Sequence, residues 1–503
     1  MNSVTKSRLN ISDVGPRFRA PKVATATIRM AMTLAVLSVL LLSASRPAQA
    51  QGEAVLYSFT GNPDGSNPES QLTASGGNLY GTTYSGGLGS GTVFELSPNG
   101  SGGWTETVLY EFCSEQNCAD GANPTYGYVT LDSQGNLYGT AYTGGANGYG
   151  VVYKLSPGES GWTETVLYSF ANSPDGANPV NGLIVDATGN FYGTTYGGGS
   201  AGNGTVFELS QSAGTWTEQV LYEISSTYSG LTMDAHGNIF GTEYRAVFEL
   251  SPKRRGGWNP RVIYNFTDPS KNGINPNGTP VLDSAGNIYG TTYGGGPGGD
   301  GVAYELSPGK KGWTEKILQA FGKQNSHPLA GLVFDSAGNL YGTTSEGGRF
   351  GAGTVFELKA DGSGGYKYEV RLAFTGEDGN DAYASMIWDS GYLYGTTYIG
   401  GSSGDGTVFA VNPNAAVTTI TLTSSPNPSN YGQTVTFTAR VTPAPPDGEM
   451  IIFEMIGEGQ LHGGKAVFKT STLPVGKTKV RAIYFGDLNF YPSRSIWHYQ
   501  EVE

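Results

Sequence analysis

Asn78-Leu-Tyr-Gly-Thr-Thr83 is the stretch on which the reading of this chain turns, because it returns six more times with small changes. Its second residue falls at Leu79, Leu137, Phe191, Ile239, Ile288, Leu340 and Leu393, between 48 and 58 residues apart. A second phrase, Gly91-Thr-Val-Phe-Glu-Leu96, also occurs seven times and ends at Leu96, Leu155, Leu209, Leu250, Leu306, Leu358 and Val411. A third, Trp104-Thr-Glu-Thr-Val-Leu-Tyr-Glu-Phe112, occurs six times in full.

Each unit therefore holds four strand-like runs. The first leads into a turn such as Asp132-Ser-Gln-Gly-Asn136, the next two are the Leu-Tyr-Gly-Thr-Thr and Val-Phe-Glu-Leu phrases, and the fourth starts at the Trp. Aromatic and β-branched residues fill the runs, and Gly, Asn and Pro separate them, which is strand and turn chemistry. No 3.6-residue periodicity is present to build a helical solenoid. Four antiparallel strands in about 50 residues is the size of a propeller blade.

The ends of the array test this. Ala54-Val-Leu-Tyr-Ser-Phe59 is the tail of a fourth strand with no blade before it, and unit seven stops at Val411 without its own fourth strand. The first fragment fits the last gap, which closes the ring and removes the open edges. The expected fold is all-β: a seven-bladed β-propeller over 51–413, its N-terminal strand closing the last blade, then an Ig-like β-sandwich over 414–503. Asn412-Pro413-Asn414 marks the boundary. In the second domain, alternating runs at 433–441, 449–456, 464–470 and 477–485 suggest the sandwich.

Residues 1–50 read as a secretory signal peptide. Arg17, Arg19, Lys22 and Arg29 precede an apolar run from Ala31 to Leu42, and Ala48-Gln49-Ala50 follows as a small-residue cleavage site. No later run is long and apolar enough to span a bilayer. The expected location is outside the cytoplasm: extracellular, cell surface or periplasm. Without its leader the chain keeps 22 basic and 41 acidic residues, a net charge of −19. That balance argues against nucleic acid or anionic lipid as partner. Cys113 and Cys118 are the two cysteines, and in an exported chain a local disulfide is the favoured reading. They have no neighbouring Cys or His to complete a tetrahedral metal shell, so no metal centre is expected there.

Gly189-Asn-Phe-Tyr-Gly-Thr-Thr-Tyr-Gly-Gly-Gly199 and Gly204-Thr-Val-Phe-Glu-Leu209 resemble the Gloeo/Verruco tandem repeat (GloVer) family of exported bacterial proteins, over about 54–413. That resemblance implies the fold and no established enzymatic activity. Residues 424–439 and Tyr484-Phe-Gly-Asp-Leu-Asn-Phe490 resemble a bacterial Ig-like domain of surface proteins.

Antiparallel order puts the loop between strands two and three on one face with the loop into the next unit. The first is Gly-rich; the second carries Asp-Gly-x-Asn-Pro, as at Asp64 to Pro68, Asp120 to Pro124 and Asp175 to Pro179. Such a ring of Asp and Asn has the oxygen ligands for Ca²⁺ or for sugar hydroxyls, although Asx turns explain it more simply. The repeated Tyr and Trp are read as blade packing. Departures from the repeat say more. Unit four shortens its loop to Glu243-Tyr244-Arg245, and unit six carries Glu346 and Arg349-Phe350 with His327 close by. Glu243, Arg245, His327, Glu346 and Arg349 are therefore the candidate binding residues, for a ligand lying between units four and six. No catalytic motif stands out: the propeller has two His, and no nucleophile elbow or sialidase Asp box. The expected function is a monomeric, non-catalytic binding or adhesion protein for a glycan or surface protein, with the Ig-like domain as spacer. The alternative is an extracellular carbohydrate-active enzyme with its site in the propeller mouth.

Overall fold

The structure is a computed structural model that describes residues 53–503 except Ser101 and Ser226. The expected signal peptide lies outside the described residues. Seven four-stranded antiparallel sheets follow one another as blades. Blade one consists of β2 (Thr73–Ser75), β3 (Asn78–Thr83), β4 (Thr92–Pro98) and β5 (Trp104–Glu111). Blade seven takes three strands from residues 387–411 and its fourth from β1 (Glu53–Ser58), which pairs with Thr407–Val411 in the register Glu53↔Val411 to Ser58↔Thr407. The ring closes as the orphan fragment required.

Each letter of the repeated phrase has a physical task. Leu79, Leu137 and Leu393 are buried between blades. The Tyr or Phe beside each faces a neighbouring blade: Tyr394 meets Trp104 at 6.4 Å and Tyr192 meets Trp258 at 5.7 Å. At the Gly, an aromatic ring of the third strand lies over the backbone; a Cβ on Gly193 would sit 2.6 Å from Phe207 Cζ. Except for Thr242 in blade four, the first Thr crosses to the next blade, Thr82 Oγ1 donating to Gly127 O at 3.0 Å and Thr291 Oγ1 to Ala330 O at 2.7 Å. The second binds within its blade, as Thr83 does with Thr92 at 2.9 Å. Thr396 Oγ1 donates to Ser70 O at 3.0 Å, which carries the pattern across the seam from blade seven to blade one.

The Asp-Ser-x-Gly-Asn turns occupy the face where strands one and two join. Asp132 Oδ1 accepts from the amides of Gln134 and Asn136, and Oδ2 accepts from Asn136 and Tyr138. They are Asx turns that shape the hairpin.

Beyond residue 414 the chain forms one seven-stranded sheet running from Thr419–Ser425 to Ser493–Arg494, and Gly476–Val480 pairs with His498–Val502 beside it. Phe437, Ile451, Phe453, Leu461 and Tyr484 fill its core. The sheet meets the propeller where Asn489 Oδ1 accepts from Tyr392 Oη and Asn412 Nδ2, both at 3.0 Å. No helix among the described residues is long and apolar enough to cross a membrane.

Candidate functional site

The two loop families do share a face. Ala122 bridges Thr143, Ile274 bridges Gly294 and Asn380 bridges Ile399, each joining an inter-blade loop to the Gly-rich loop beside it. The loop Asp side chains of the first three units are engaged there. Asp64 is buried and accepts from Tyr57 Oη at 2.7 Å and from the amide of Thr60. Asp120 and Asp175 repeat the arrangement with Tyr110 and Tyr168. The Asn that follows staples one blade to the last: Asn67 Nδ2 donates to Tyr398 O, Asn123 to Tyr84 O and Asn178 to Tyr142 O, at 2.9–3.1 Å. These Asn have φ of 56–58°, a left-handed conformation that Asn tolerates. The repeated loop residues thus build the ring; in blade seven Asp378 Oδ1 accepts from the Thr375 amide while its Oδ2 has no partner.

A second carboxylate comes close to each loop Asp. Glu106, Glu164 and Glu218, from the Trp-Thr-Glu of the outer strands, each keep one oxygen without a partner. Burial first, and then the charges of Asp64, Asp120 and Asp175, push their pKa values up to about 7, 8 and 7. In blade five the loop residue is Asn272, and its amide donates to Glu315 instead. Raised folded-state values mean that the folded protein holds protons the unfolded chain releases near pH 4.5. Stability is therefore fullest below about pH 4.5 and falls as pH rises through 7–8. Melting temperature should drop across pH 5–8, and Glu106, Glu164 and Glu218 changed together to Gln should flatten that slope; an unchanged slope would exclude these pairs as its cause.

The sequence-selected residues fall into separate groups. Glu243 is buried and accepts from the Ser225 amide at 3.0 Å and from Tyr222 Oη at 3.4 Å. It thus does in blade four what the loop Asp does elsewhere. Arg245, in a two-residue turn with φ 66°, lies over the exposed Tyr244 ring at 5.3 Å. Arg349 lies over Phe350 at 5.4 Å. His327 and Glu346 do meet, Nδ1 to Oε2 at 3.4 Å, and His327 stacks on Tyr293 at 4.5 Å. With φ 58°, His327 stands where other blades have the stapling Asn.

The mouth of the ring is lined from a different position: three residues before the buried one that leads into each inner strand (Leu72, Val129, Leu183, Leu231, Pro280, Leu332, Met386). Going round, this position holds one acid (Glu69), three tyrosines (Tyr126, Tyr228, Tyr383), one amide (Asn277) and two aliphatics (Val180, Leu329). All but Val180 line a cavity of about 50 Å³; in blade three the next residue, Asn181, lines it and donates to Tyr228 O at 3.1 Å. Tyr126 and Tyr228 lie 5.3 Å apart, and Tyr228 stacks on Tyr196 at 4.8 Å. Tyr383 lies 5.3 Å from Tyr398 on the other side. Glu69 is 6% exposed. Burial alone pushes its pKa up to about 8, with no hydrogen bond or ion pair to oppose it among the described residues. Sequence reading passed over these residues. Their signal was available as a position ahead of the inner strands that changes from unit to unit.

The Gloeobacter/Verrucomicrobia repeat model matches residues 89–281 and 275–471. No curated protein matches the chain. Among solved structures, a streptogramin B lyase is 15% identical with a TM-score of 0.46, over 72% of this chain and 97% of the other. The extracellular domain of a one-component system protein from B. thetaiotaomicron is 11% identical with a TM-score of 0.48, over 89% of this chain and 58% of the other. An ulvan lyase of a polysaccharide lyase family is 10% identical with a TM-score of 0.45, over 71% and 96%. At such identities these likenesses concern fold and carry no inference about ligand or chemistry. With its repeat matched over more than half of its length, the chain belongs to the Gloeobacter/Verrucomicrobia repeat family.

Proposed function

We propose that the protein is an exported, non-catalytic recognition module whose propeller mouth takes the end of a saccharide chain. The C-terminal sheet acts in this reading as an Ig-like spacer. One observation carries the proposal: in a molecule built from one repeat, the seven equivalent positions round the mouth differ from blade to blade and bring three tyrosines and an acid to one cavity. Blade packing needs none of these side chains in particular, since Tyr, Asn, Leu, Val and Glu all serve there. Tyrosine faces suit the C–H surface of a sugar ring, and Asn181, Asn277 and Gln71 offer donors and acceptors to its hydroxyls. His327 and Glu346, two residues before Leu329 and in the adjoining loop, form the rim. Arg245 and Arg349 stand further out as exposed contacts.

Calorimetry against a panel of oligosaccharides tests this. Tyr126→Ala with Tyr228→Ala should weaken whatever binds by roughly tenfold or more, as expected for losing two stacking rings. Undiminished affinity would move the site away from the mouth. Glu69 favours a second reading, a carbohydrate-active enzyme, because a carboxyl with a pKa of about 8 stays protonated at neutral pH, as a general acid must. Yet the lining residues include no other carboxylate, and glycoside cleavage commonly uses two. Chromatography of the same mixtures decides: released products establish the enzyme, intact glycans the binding module.

A further inference from the structure

The Glu69 carboxyl is, with Glu53 of the first strand, one of the buried carboxyls that find no partner among the described residues. It is nine-tenths buried, lines the mouth cavity, and accepts no hydrogen bond among the described residues. Other buried acids on the face of the inter-blade and Gly-rich loops differ from it. Asp64, Asp120, Asp175 and Glu243 accept bonds from tyrosine hydroxyls and backbone amides. Glu249 and Glu357, buried in the blades, each hold an arginine. Burying a carboxyl without a partner costs several kcal/mol as an ion, and the ring does not require one, because the same place in other blades is Tyr, Asn, Leu or Val.

What surrounds Glu69 is of one character. No Lys, Arg or His lines the cavity. Tyr126, Tyr228, Tyr383 and Tyr398 are the titratable groups close enough to feel its charge, and all four hydroxyls have their pKa raised, first by burial. Further out, Asp381 and Glu346 add negative charge. Aromatic faces beside a carboxyl, within an acidic protein, attract a cation rather than an anion. A cavity of about 50 Å³ has room for about four waters, enough for an ammonium group and its first carbons.

We infer that the mouth recognises a protonated amine at the end of its ligand, the ammonium pairing with Glu69 between the faces of Tyr126, Tyr228 and Tyr383. The inference rests on the saccharide reading only for the remainder of the ligand, which then belongs to the amino sugars. Glu69 gives up its proton to solvent as the amine enters, so binding near neutral pH releases protons.

The test compares glucosamine oligosaccharides with the same oligosaccharides fully N-acetylated, using the full chain, and adds methylammonium chloride as a bare amine. The free-amine sugars should bind at least tenfold more tightly than the acetylated ones, with proton release that differs between buffers of different ionisation enthalpy. Glu69→Gln should abolish that preference. Since the comparison between the two sugars uses the unaltered protein, it stands even if the variant folds poorly. Equal affinity for both sugars overturns the amine inference and leaves the saccharide reading intact. Failure of every oligosaccharide, with methylammonium still bound and lost in Glu69→Gln, does the reverse. No binding of either probe overturns the inference.

Discussion

A chain that begins at residue 61 fails to form a closed monomer. Without β1, the strand Thr407–Val411 becomes an open edge, and Phe59, wholly buried against Phe94 at 5.1 Å, is lost together with Leu56 and Tyr57. Removing a buried Phe side chain alone costs about 3–5 kcal/mol. Adding the strand pairing makes the loss comparable with the whole stability of a typical domain, about 5–15 kcal/mol. The truncated protein should therefore aggregate or associate through the exposed edge, as seen by light scattering, and lose its cooperative melt. A synthetic peptide of residues 53–60 should restore the melt when added in excess. A monomeric truncated chain with an unchanged melting temperature would show that closure contributes nothing.

Placing a single methyl on Gly193 should be nearly as informative. Its conformation suits any residue, so the cost comes from space alone: the new Cβ would meet Phe207 Cζ at 2.6 Å and Leu183 Cδ2 at 3.0 Å. Overpacking of this kind costs about 1–3 kcal/mol, read as a lowered urea midpoint for Gly193→Ala. Phe207→Leu in the same chain removes the obstructing ring, so the double variant should lose clearly less than the two single losses added together. Strict additivity would mean that the ring over the glycine is not why the repeat keeps glycine there. The same test transfers to Gly81 beneath Phe94 and Gly342 beneath Phe356.

Nearly all of the propeller was legible in the chain, because each blade repeats the same local chemistry and the ends of the array complete one another. The inter-blade loops were legible as well, since an Asx turn or a stapling Asn acts over a few residues. The mouth was not. Tyr126 sits one residue further from its Asn-Pro than Glu69 does, owing to an extra residue in unit two. Counting forward from the loop therefore misaligns the position, and counting back from buried Leu72 and Val129 aligns it. Burial of that kind depends on seven blades meeting at one axis, which no single unit reveals. Glu243 shows a second limit. It stands out as an oddity in its own loop, yet it acts on Tyr222 and Ser225, in place of an Asp that other blades take from a different segment.

Pairing Glu53 with Val411 also determines which way the protein looks. The propeller begins and ends on the face of the Asp-Ser-x-Gly-Asn turns, and the C-terminal sheet docks there through Asn489 against Tyr392 and Asn412. Glu69 and the tyrosines open on the opposite face. A molecule held by its C-terminal sheet would display the mouth outward, like a dish on a mast, with its aim set by the same strand pair that closes the ring.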